Sequence, residues 1–128
     1  NAFWPIMNAL FGIDGAYEER LAGLVAKQIA LWDVLASAVR PGSLDGRIQL
    51  DCAHANDFQT FLAEHDAIKL IAYNGKKAEQ LFERFVGNSL VGPEIRRASL
   101  PSTSPAYAAM PFSGKLDLWR RELLARDA

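Results

Sequence analysis

Cysteine and histidine are scarce in this chain, whose 128 residues include one cysteine, Cys52, and two histidines, His54 and His65. A single cysteine excludes an internal disulfide framework and is typical of proteins from a reducing compartment. These possible ligands are too few and too scattered for a structural zinc site. Only a metal contact shared by Cys52 and His54 stays open. The composition therefore predicts no structural metal.

Long apolar runs and a strong excess of one charge are missing as well. No run approaches the roughly 20 apolar residues that a helix needs to cross a bilayer, so we expect no membrane partner. The formal net charge is −1, which means that any nucleic-acid site must come from local clusters of lysine and arginine. The motifs GxxxxGK[ST], HExxH and GxSxG are absent, so nothing favours a P-loop, a zinc peptidase or a serine hydrolase.

What the chain does contain is a strand–turn–helix pattern at residues 68–85, IKLIAYNGKKAEQLFERF. The apolar run up to Tyr73 predicts a strand buried on both faces, as in a parallel sheet. Asn74 and Gly75 interrupt this run, and from Lys76 the apolar residues recur at helical spacing. Ligands of open α/β sheets bind where such strands end, beside a helix N-terminus that suits phosphate. The alternative is an ordinary Asn-Gly turn without a ligand.

The same periodicities predict one α/β domain over residues 1–128 with a mainly parallel sheet. Half of the residues are hydrophobic (50%), which is enough for one ordinary core. Helices are expected at residues 1–12, 17–27, 57–64 and 113–126. A strand is expected at residues 29–35, an edge strand or an extended run at residues 95–100, and irregular structure at residues 37–43, 51–55 and 87–94. Finer predictions are Asn56 as an N-cap, Ser43 capping a turn at residues 44–48, and burial of Leu21, Leu24 and Val25.

Two polar residues and one loop stand out in this pattern. Asp33 is a carboxylate late in an apolar strand, where an unpaired buried charge is costly, so it either edges a pocket or marks a solvated strand end. Asn1 precedes the first helix and, in the simplest interpretation, caps it. Residues 101–111, PSTSPAYAAMP, cannot hold regular structure. Long irregular loops on compact domains are disproportionately functional, which makes this loop a candidate site.

Four stretches together resemble the uracil-DNA glycosylase superfamily: NAFW at residues 1–4, IALWDVL at 29–35, NGKKA at 74–78 and LPSTSPA at 100–106. The similarity indicates the branch called hypoxanthine-DNA (deoxyinosine) glycosylases, often described as mismatch-specific uracil or thymine glycosylases. LPSTSPA and NGKKA carry most of this resemblance, which runs over nearly all of the chain in the expected order.

The resemblance implies a three-layer αβα fold with a small, mainly parallel sheet. It implies an enzyme that flips a deaminated base out of double-stranded DNA and hydrolyses its N-glycosidic bond. Hypoxanthine is the leading base and uracil the second. The resemblance further implies no cofactor, no metal, a monomer, and a cytoplasmic, nucleoid-associated activity of bacterial type.

Residue roles follow from the same resemblance. Asn1 and Asn74 are the expected catalytic residues, and the loop LPSTSPA is expected to enter the minor groove. The expected base pocket holds Phe3, Trp32 and Asp33. The expected DNA contacts are Lys76, Lys77, Pro101, Ser102, Thr103, Ser104 and Pro105, with Arg40, Arg96 and Arg97 as further phosphate partners. For each lysine and arginine, the alternative is an ordinary solvated side chain.

The chain departs from the superfamily pattern in one respect. The superfamily carries an upstream strand that ends in a Gly-Ser-x-Pro type loop, and nothing in this sequence matches it. We expect the natural chain to continue upstream of Asn1 by roughly 25 to 40 residues, because three predicted strands would leave an apolar sheet edge exposed. The missing motif keeps a second function open, a nucleic-acid or nucleotide binding module without catalysis. A purely structural scaffold is the third alternative.

Overall fold

The structure is a computed structural model that describes residues 1–39 and 49–125. Helices and short strands alternate along the chain, which confirms the predicted α/β class and is consistent with a small three-layer αβα fold. The helices are α1 (Phe3–Phe11), α2 (Tyr17–Ala26), α3 (Phe58–Glu64), α4 (Lys76–Phe85) and α5 (Phe112–Leu123). The strands are β1 (Leu35–Val39), β2 (Gln49–Ala55), β3 (Leu70–Asn74) and β4 (Arg96–Leu100). The predictions for Arg40, Ser43 and residues 44–48 lie outside the described residues.

The chain forms two compact units, which are described separately below. The first unit contains residues 1–32 and, later in the chain, the residues from Leu100 onward; the second unit contains residues 33–99. The division follows internal packing and does not test whether residues 1–128 act as one glycosylase-like domain. That expectation stays a prediction.

In the first unit, α1 packs its apolar stripe inward. Ile6 and Met7 are fully buried, and the Phe3 ring meets the buried Trp119 ring of α5 edge-on at a centroid distance of 6.0 Å. The helix ends where the sequence predicts, at Gly12, whose φ of 69° is left-handed and whose N–H bonds the Asn8 carbonyl. Glycine suits this cap because it has no Cβ to clash in that conformation.

The end of α2 explains why the strand predicted at residues 29–35 is wrong. The N–H groups of Gln28 and Ile29 return to the carbonyls of Val25 and Leu24, both at 2.9 Å, and Gln28 has a φ of 60°. This is a Schellman motif, in which the apolar residue after the helix closes the end instead of starting a strand. The chain then runs without regular structure, and β1 starts only at Leu35.

Burial in α2 and in the segment after it also differs from the prediction. Leu24 is buried as expected. Leu21 and Val25 are exposed to 38% and 75%, and Leu31 to 55%. The helical spacing correctly placed an apolar stripe on α2, but spacing alone does not determine which part of a stripe finds a partner.

In the second unit, β3, α4 and β4 form the predicted parallel arrangement. The two strands pair in one sheet, and the Arg96 N–H bonds the Lys69 carbonyl at 2.9 Å at its beginning. A parallel pair needs a long crossover, and α4 supplies it. Tyr73, Phe82 and Val91 form the core cluster, with Phe58 and Ile71 among the residues packed against it. The strand–turn–helix prediction at residues 68–85 and the strand at residues 95–100 are therefore confirmed. The expected burial of the first strand on both faces is wrong, because only Tyr73 of β3 is buried and its other residues are half-buried.

The second sheet is an antiparallel pair of β1 and β2, in which Leu35 pairs with Ala55 and Val39 with Gln49. Residues 37–39 and 51–55 were expected to be irregular, and both predictions are wrong, because these residues belong to β1 and β2. Their mixed polar composition gives a weak strand signal, because strand formation depends on the partner strand as much as on local preference. The register shifts between the paired positions show that the ladder is also irregular.

The cap of α3 lies one residue later than predicted. Asp57, not Asn56, occupies the N-cap, and its carboxylate accepts bonds from the Thr60 N–H at 3.0 Å and the Thr60 hydroxyl at 2.7 Å. Asn56 instead joins α3 to the segment before β1. Its Nδ2 donates to the Asp33 carbonyl at 2.7 Å and its N–H to the Val34 carbonyl at 2.9 Å. Either residue type caps helices well, so the choice depends on these tertiary contacts.

Candidate functional site

Asn1 is held at the start of α1 by its own side chain. Its Oδ1 accepts a hydrogen bond from the Phe3 N–H at 2.8 Å, while Ala2 occupies the N-cap position without a side-chain bond. One orphan donor of the first turn is thereby satisfied, which directly supports the capping interpretation of Asn1. The same bond fixes which way the amide is turned. Oδ1 serves the helix, and the two Nδ2 donors of this exposed residue are available to other partners.

The residue after Asn1 ties α1 to the loop of residues 101–107, which we call the 101–107 loop. The Ala2 N–H donates to the Thr103 carbonyl at 2.9 Å. Thr103 itself is 2% exposed. The two stretches NAFW and LPSTSPA, which lie near opposite ends of the sequence, are therefore neighbours in the first unit. This contact could not be read from either stretch alone.

Two serines shape the 101–107 loop from within. The Ser102 Oγ accepts the Ser104 N–H at 3.1 Å, and the Ser104 Oγ accepts the Ala106 N–H at 3.2 Å. Each bond spans two residues, which is the pattern of a serine turn. A hydroxyl that accepts such a bond keeps its own O–H as a donor. The loop is thus irregular, as predicted, but hydrogen-bonded along its length.

Helix α5 holds the same loop from outside through two buried residues that the sequence analysis missed. The Trp119 Nε1–H donates to the Pro101 carbonyl at 2.9 Å. The Lys115 Nζ donates to the Tyr107 carbonyl at 2.8 Å and lies 3.5 Å from the Ser104 carbonyl. The two side chains are one helical turn apart on the same face of α5. Two features of the sequence could have indicated this role. One is the i, i+4 spacing of Lys115 and Trp119, and the other is that a buried tryptophan normally bonds its N–H to a partner.

An aromatic group follows Asn1 in the first unit. The Phe3 ring meets the Trp4 ring edge-on at 5.0 Å, and the Arg20 guanidinium lies 4.8 Å from the Trp4 ring centroid and 5.7 Å from that of Tyr17. Cation–π contacts of this kind link α1 to α2. Phe3 is 9% exposed, so it supports the residues around it and has little surface for a ligand.

In the second unit, the turn of residues 74–77 joins β3 to α4. Gly75 is the N-cap of α4, and its φ of 97° with ψ of 162° lies in a region that is essentially restricted to glycine. No side chain caps this helix. Lys76 is exposed and Lys77 half-buried in the first turn, where the helix dipole disfavours cations and favours anions. Asn74, at the end of β3, has contacts with its surroundings.

Ionisable and polar side chains interact with one another at the strand end beside this turn. Burial raises the pKa of the Tyr73 phenol, and the nearby Arg97 guanidinium opposes that shift. The Ser99 hydroxyl donates to the Glu79 carboxylate at 2.7 Å and so links β4 to α4. Arg96 is half-buried and Arg97 exposed, and both have partners in the structure. These arginines are therefore part of the packing of this unit as well as candidate phosphate contacts.

The remaining two residues predicted for the base pocket lie at the surface. Trp32 is 44% exposed. Asp33 is exposed, and its carbonyl is held by Asn56. The Asp33 side chain is therefore exposed, but it lies in an irregular segment before β1 and not at the end of a strand. The part of Asp33 that Asn56 fixes is its main chain.

A shallow open cavity of about 270 Å³ lies elsewhere in the second unit, beside the end of α3 and the residues before β4. Leu62, His65, Leu90 and Ile95 are among its lining residues. None of the residues predicted for catalysis or for the base pocket takes part. Within residues 1–39 and 49–125, no three histidine, cysteine, aspartate or glutamate side chains gather as a metal site would require. No helix in those ranges is long and apolar enough to cross a membrane.

Comparison with known proteins finds a relative for part of the chain. Over 81 residues the chain is 36% identical to a protein of Methanosarcina acetivorans named hypoxanthine DNA glycosylase. The match covers 61% of this chain and 50% of the relative, so the chain spans about half the length of the curated relative that it matches. No protein-family model matches the chain, and no solved structure matches it. The similarity supports the branch that the sequence motifs indicated, while the wider superfamily rests on the motifs.

Proposed function

We propose that this chain acts as a DNA repair glycosylase, which flips a deaminated base out of double-stranded DNA and hydrolyses its N-glycosidic bond. Hypoxanthine is the leading base, because the relative from Methanosarcina acetivorans is named for it, and uracil is the second. The observation that supports the proposal most is the bond between Ala2 and the Thr103 carbonyl. It makes neighbours of the catalytic candidate Asn1 and the candidate DNA-binding loop.

The proposed chemistry suits a neutral amide. Extruding the nucleotide costs a few kcal/mol, and departure of the base then builds negative charge on the base and positive charge on the sugar. Donors fixed in place before the reaction stabilise developing negative charge without reorganising. With Oδ1 engaged by the Phe3 N–H, we assign Asn1 the role of donor, through Nδ2, to the leaving base. The main-chain N–H of Phe3 holds that amide in position.

DNA contacts are proposed for both units separately. In the first unit, the O–H groups of Ser102 and Ser104 are donors suited to sugar and phosphate oxygens. In the second unit, Lys76 and Lys77 supply positive charge at the N-terminus of α4, where an anion is favoured. Asn74 is proposed as a further catalytic residue, and Trp32 and Asp33 as base-pocket residues, on the strength of the resemblance. The protein is proposed to work as a monomer on DNA in the cytoplasm.

A cleavage assay tests the proposal. Duplexes with one deoxyinosine, one uracil or no lesion are incubated with the 128-residue chain and then treated with alkali, which breaks the strand at an abasic site. Breaks confined to the lesion strand support a glycosylase, and their persistence in EDTA supports a reaction that needs no metal. Retarded migration without breaks would instead support the binding-module alternative. Absence of both breaks and binding would overturn both functions.

The loop itself is tested by charge. Ser104→Asp should weaken duplex binding by about tenfold, because a carboxylate repels the phosphates that the hydroxyl would contact. Ser104→Thr is the matched control, since threonine keeps a hydroxyl for the bond to the Ala106 N–H. If the aspartate variant binds as tightly as the parent protein in a titration of a labelled duplex, the 101–107 loop does not face DNA.

A further inference from the structure

Lys115 is an unusual residue in α5 because it is only 5% exposed. A buried ammonium group is costly unless strong partners replace the lost water. Its position adds a second cost, because it lies in the first turn of α5 (Phe112–Leu123), where the helix dipole disfavours positive charge. A residue that bears both costs must be compensated by its surroundings.

That compensation comes from the 101–107 loop. Nζ donates to the Tyr107 carbonyl at 2.8 Å, lies 3.5 Å from the Ser104 carbonyl, and lies 5.1 Å from the centroid of the Tyr107 ring. Within the described residues its partners are main-chain oxygens and an aromatic face, with no carboxylate among them. No ion pair of Lys115 is therefore seen in the part of the chain that the structure describes. Its ammonium group instead bonds main-chain carbonyls of one segment, residues 104–107.

The segment in question is the tightest bend of the loop. The Tyr107 N–H bonds the Ser104 carbonyl at 3.0 Å, and the Ser104 Oγ accepts the Ala106 N–H. Pro105, between them, has no N–H to contribute. Two of the carbonyls that define this bend are thus held by one lysine. Trp119 holds the start of the loop at Pro101, but it has no contact of this kind with the bend.

We propose that Lys115 is a positioning residue, which fixes the bend at residues 104–107 in the conformation that binds DNA. The proposal rests on the function proposed above. A loop held in its bound shape avoids the entropic cost of ordering on binding, so its benefit appears as affinity. Lys115 is not assigned any contact with the base or with the reacting atoms. Its effect on the chemical step should therefore be small.

The test compares Lys115→Met, which keeps the apolar stem and removes the charge, with Lys27→Met as a control. Lys27 is an exposed lysine of the same unit at the end of α2. In the free protein, hydrogen exchange at the amides of Ala106 and Tyr107 should accelerate by about tenfold in Lys115→Met, while amides in the middle of α1 keep their protection. Lys27→Met should change neither. Equal protection in all three proteins would overturn the proposal.

Binding and chemistry are then measured separately. On a duplex with a tetrahydrofuran abasic analogue, Lys115→Met should bind about tenfold more weakly, while its single-turnover rate at saturating enzyme on deoxyinosine stays within about twofold of the parent. A fall confined to the rate would overturn the positioning role. If Lys115→Met does not fold, Lys115→Gln is measured in its place, and because the Gln amide can still donate, its loss of affinity should be smaller than tenfold. If the parent neither cleaves nor binds, the proposed function fails, and hydrogen exchange on the free protein still decides whether Lys115 holds the bend.

Discussion

The 101–107 loop and the turn of residues 74–77 are both candidate DNA contacts, but they are held in different ways. The loop depends on residues distant in sequence, since Ala2, Lys115 and Trp119 all bond its carbonyls. The turn depends on its own backbone, through the conformation of Gly75 between β3 and α4. The loop is therefore held by hydrogen bonds from residues outside it, whereas the turn is held by the backbone conformation of one glycine.

This difference predicts how each region fails. A turn determined by one residue should be sensitive to that residue and tolerant of changes elsewhere. A loop with several anchors should lose order gradually as the anchors are removed, because each hydrogen bond contributes only about 0.5–1.5 kcal/mol. Substitution of the anchoring residues should also change the affinity of the loop for DNA, although those residues are not assigned any contact with DNA.

Gly75→Ala should be the most damaging change. The φ of 97° and ψ of 162° at this position are essentially closed to residues with a Cβ, so we expect a loss of about 1–3 kcal/mol in the free energy of unfolding. Urea denaturation measures this loss. Gly12→Ala is the control, because Gly12 has an ordinary left-handed conformation with open space where the alanine methyl group would lie and should cost about 1 kcal/mol. Equal losses would show that the turn of residues 74–77 relaxes.

Asn1→Ala should lower the single-turnover cleavage rate by about tenfold, or about 1.4 kcal/mol in the barrier, with little change in duplex affinity. Asn1→Ser separates the two roles of this side chain, because the Ser hydroxyl can still accept the Phe3 N–H but lacks the amide. A catalytic amide predicts that both variants are slow. If only the alanine variant is slow, Asn1 acts as a cap. If neither is slow, it has no part in the mechanism.

Trp119→Phe should cost about 1 kcal/mol in the free energy of unfolding, because it leaves the Pro101 carbonyl without the donor it has at 2.9 Å. The remaining ring can still pack against Phe3. Trp4→Phe is the matched control in the same unit, where no indole hydrogen bond is lost within the described contacts. Thermal denaturation compares the two variants. A smaller loss for Trp119→Phe than for Trp4→Phe would contradict the anchoring role of this tryptophan.

The smallest effect is expected at Asp57 and depends on pH. The hydrogen bonds from the Thr60 side chain and main chain hold the pKa of the Asp57 carboxyl below its ordinary value of 3.8. A carboxyl whose pKa is lower in the folded state stabilises the fold above its unfolded pKa, and this contribution is lost as the pH falls through the folded pKa. Acid denaturation should therefore be slightly shallower in Asp57→Asn, which still caps the helix but does not titrate. An identical acid profile for the parent and the variant would remove Asp57 from the acid response.

Elements whose signals are local could be predicted from the sequence. The helix from Phe3, its stop at Gly12, and the succession of β3, α4 and β4 follow from apolar periodicity and turn residues. The loop of residues 101–111 was recognisable by composition. The motifs also indicated a glycosylase branch, which the partial match to the Methanosarcina protein supports. Each of these inferences needs only residues within a few positions of one another.

Contacts between residues distant in sequence selected among the locally possible conformations. The apolar residues after α2 close a Schellman motif and do not form a strand, and residues 51–55 become a strand because β1 pairs with them. Asp57 and not Asn56 is the N-cap of α3, because the Asn56 amide bonds the Asp33 carbonyl. The 101–107 loop is held by α5 and by the residue after Asn1. The physical reason is the same in each case: hydrogen bonds and buried contacts between residues distant in sequence decide between local conformations of similar energy, and no local pattern records them.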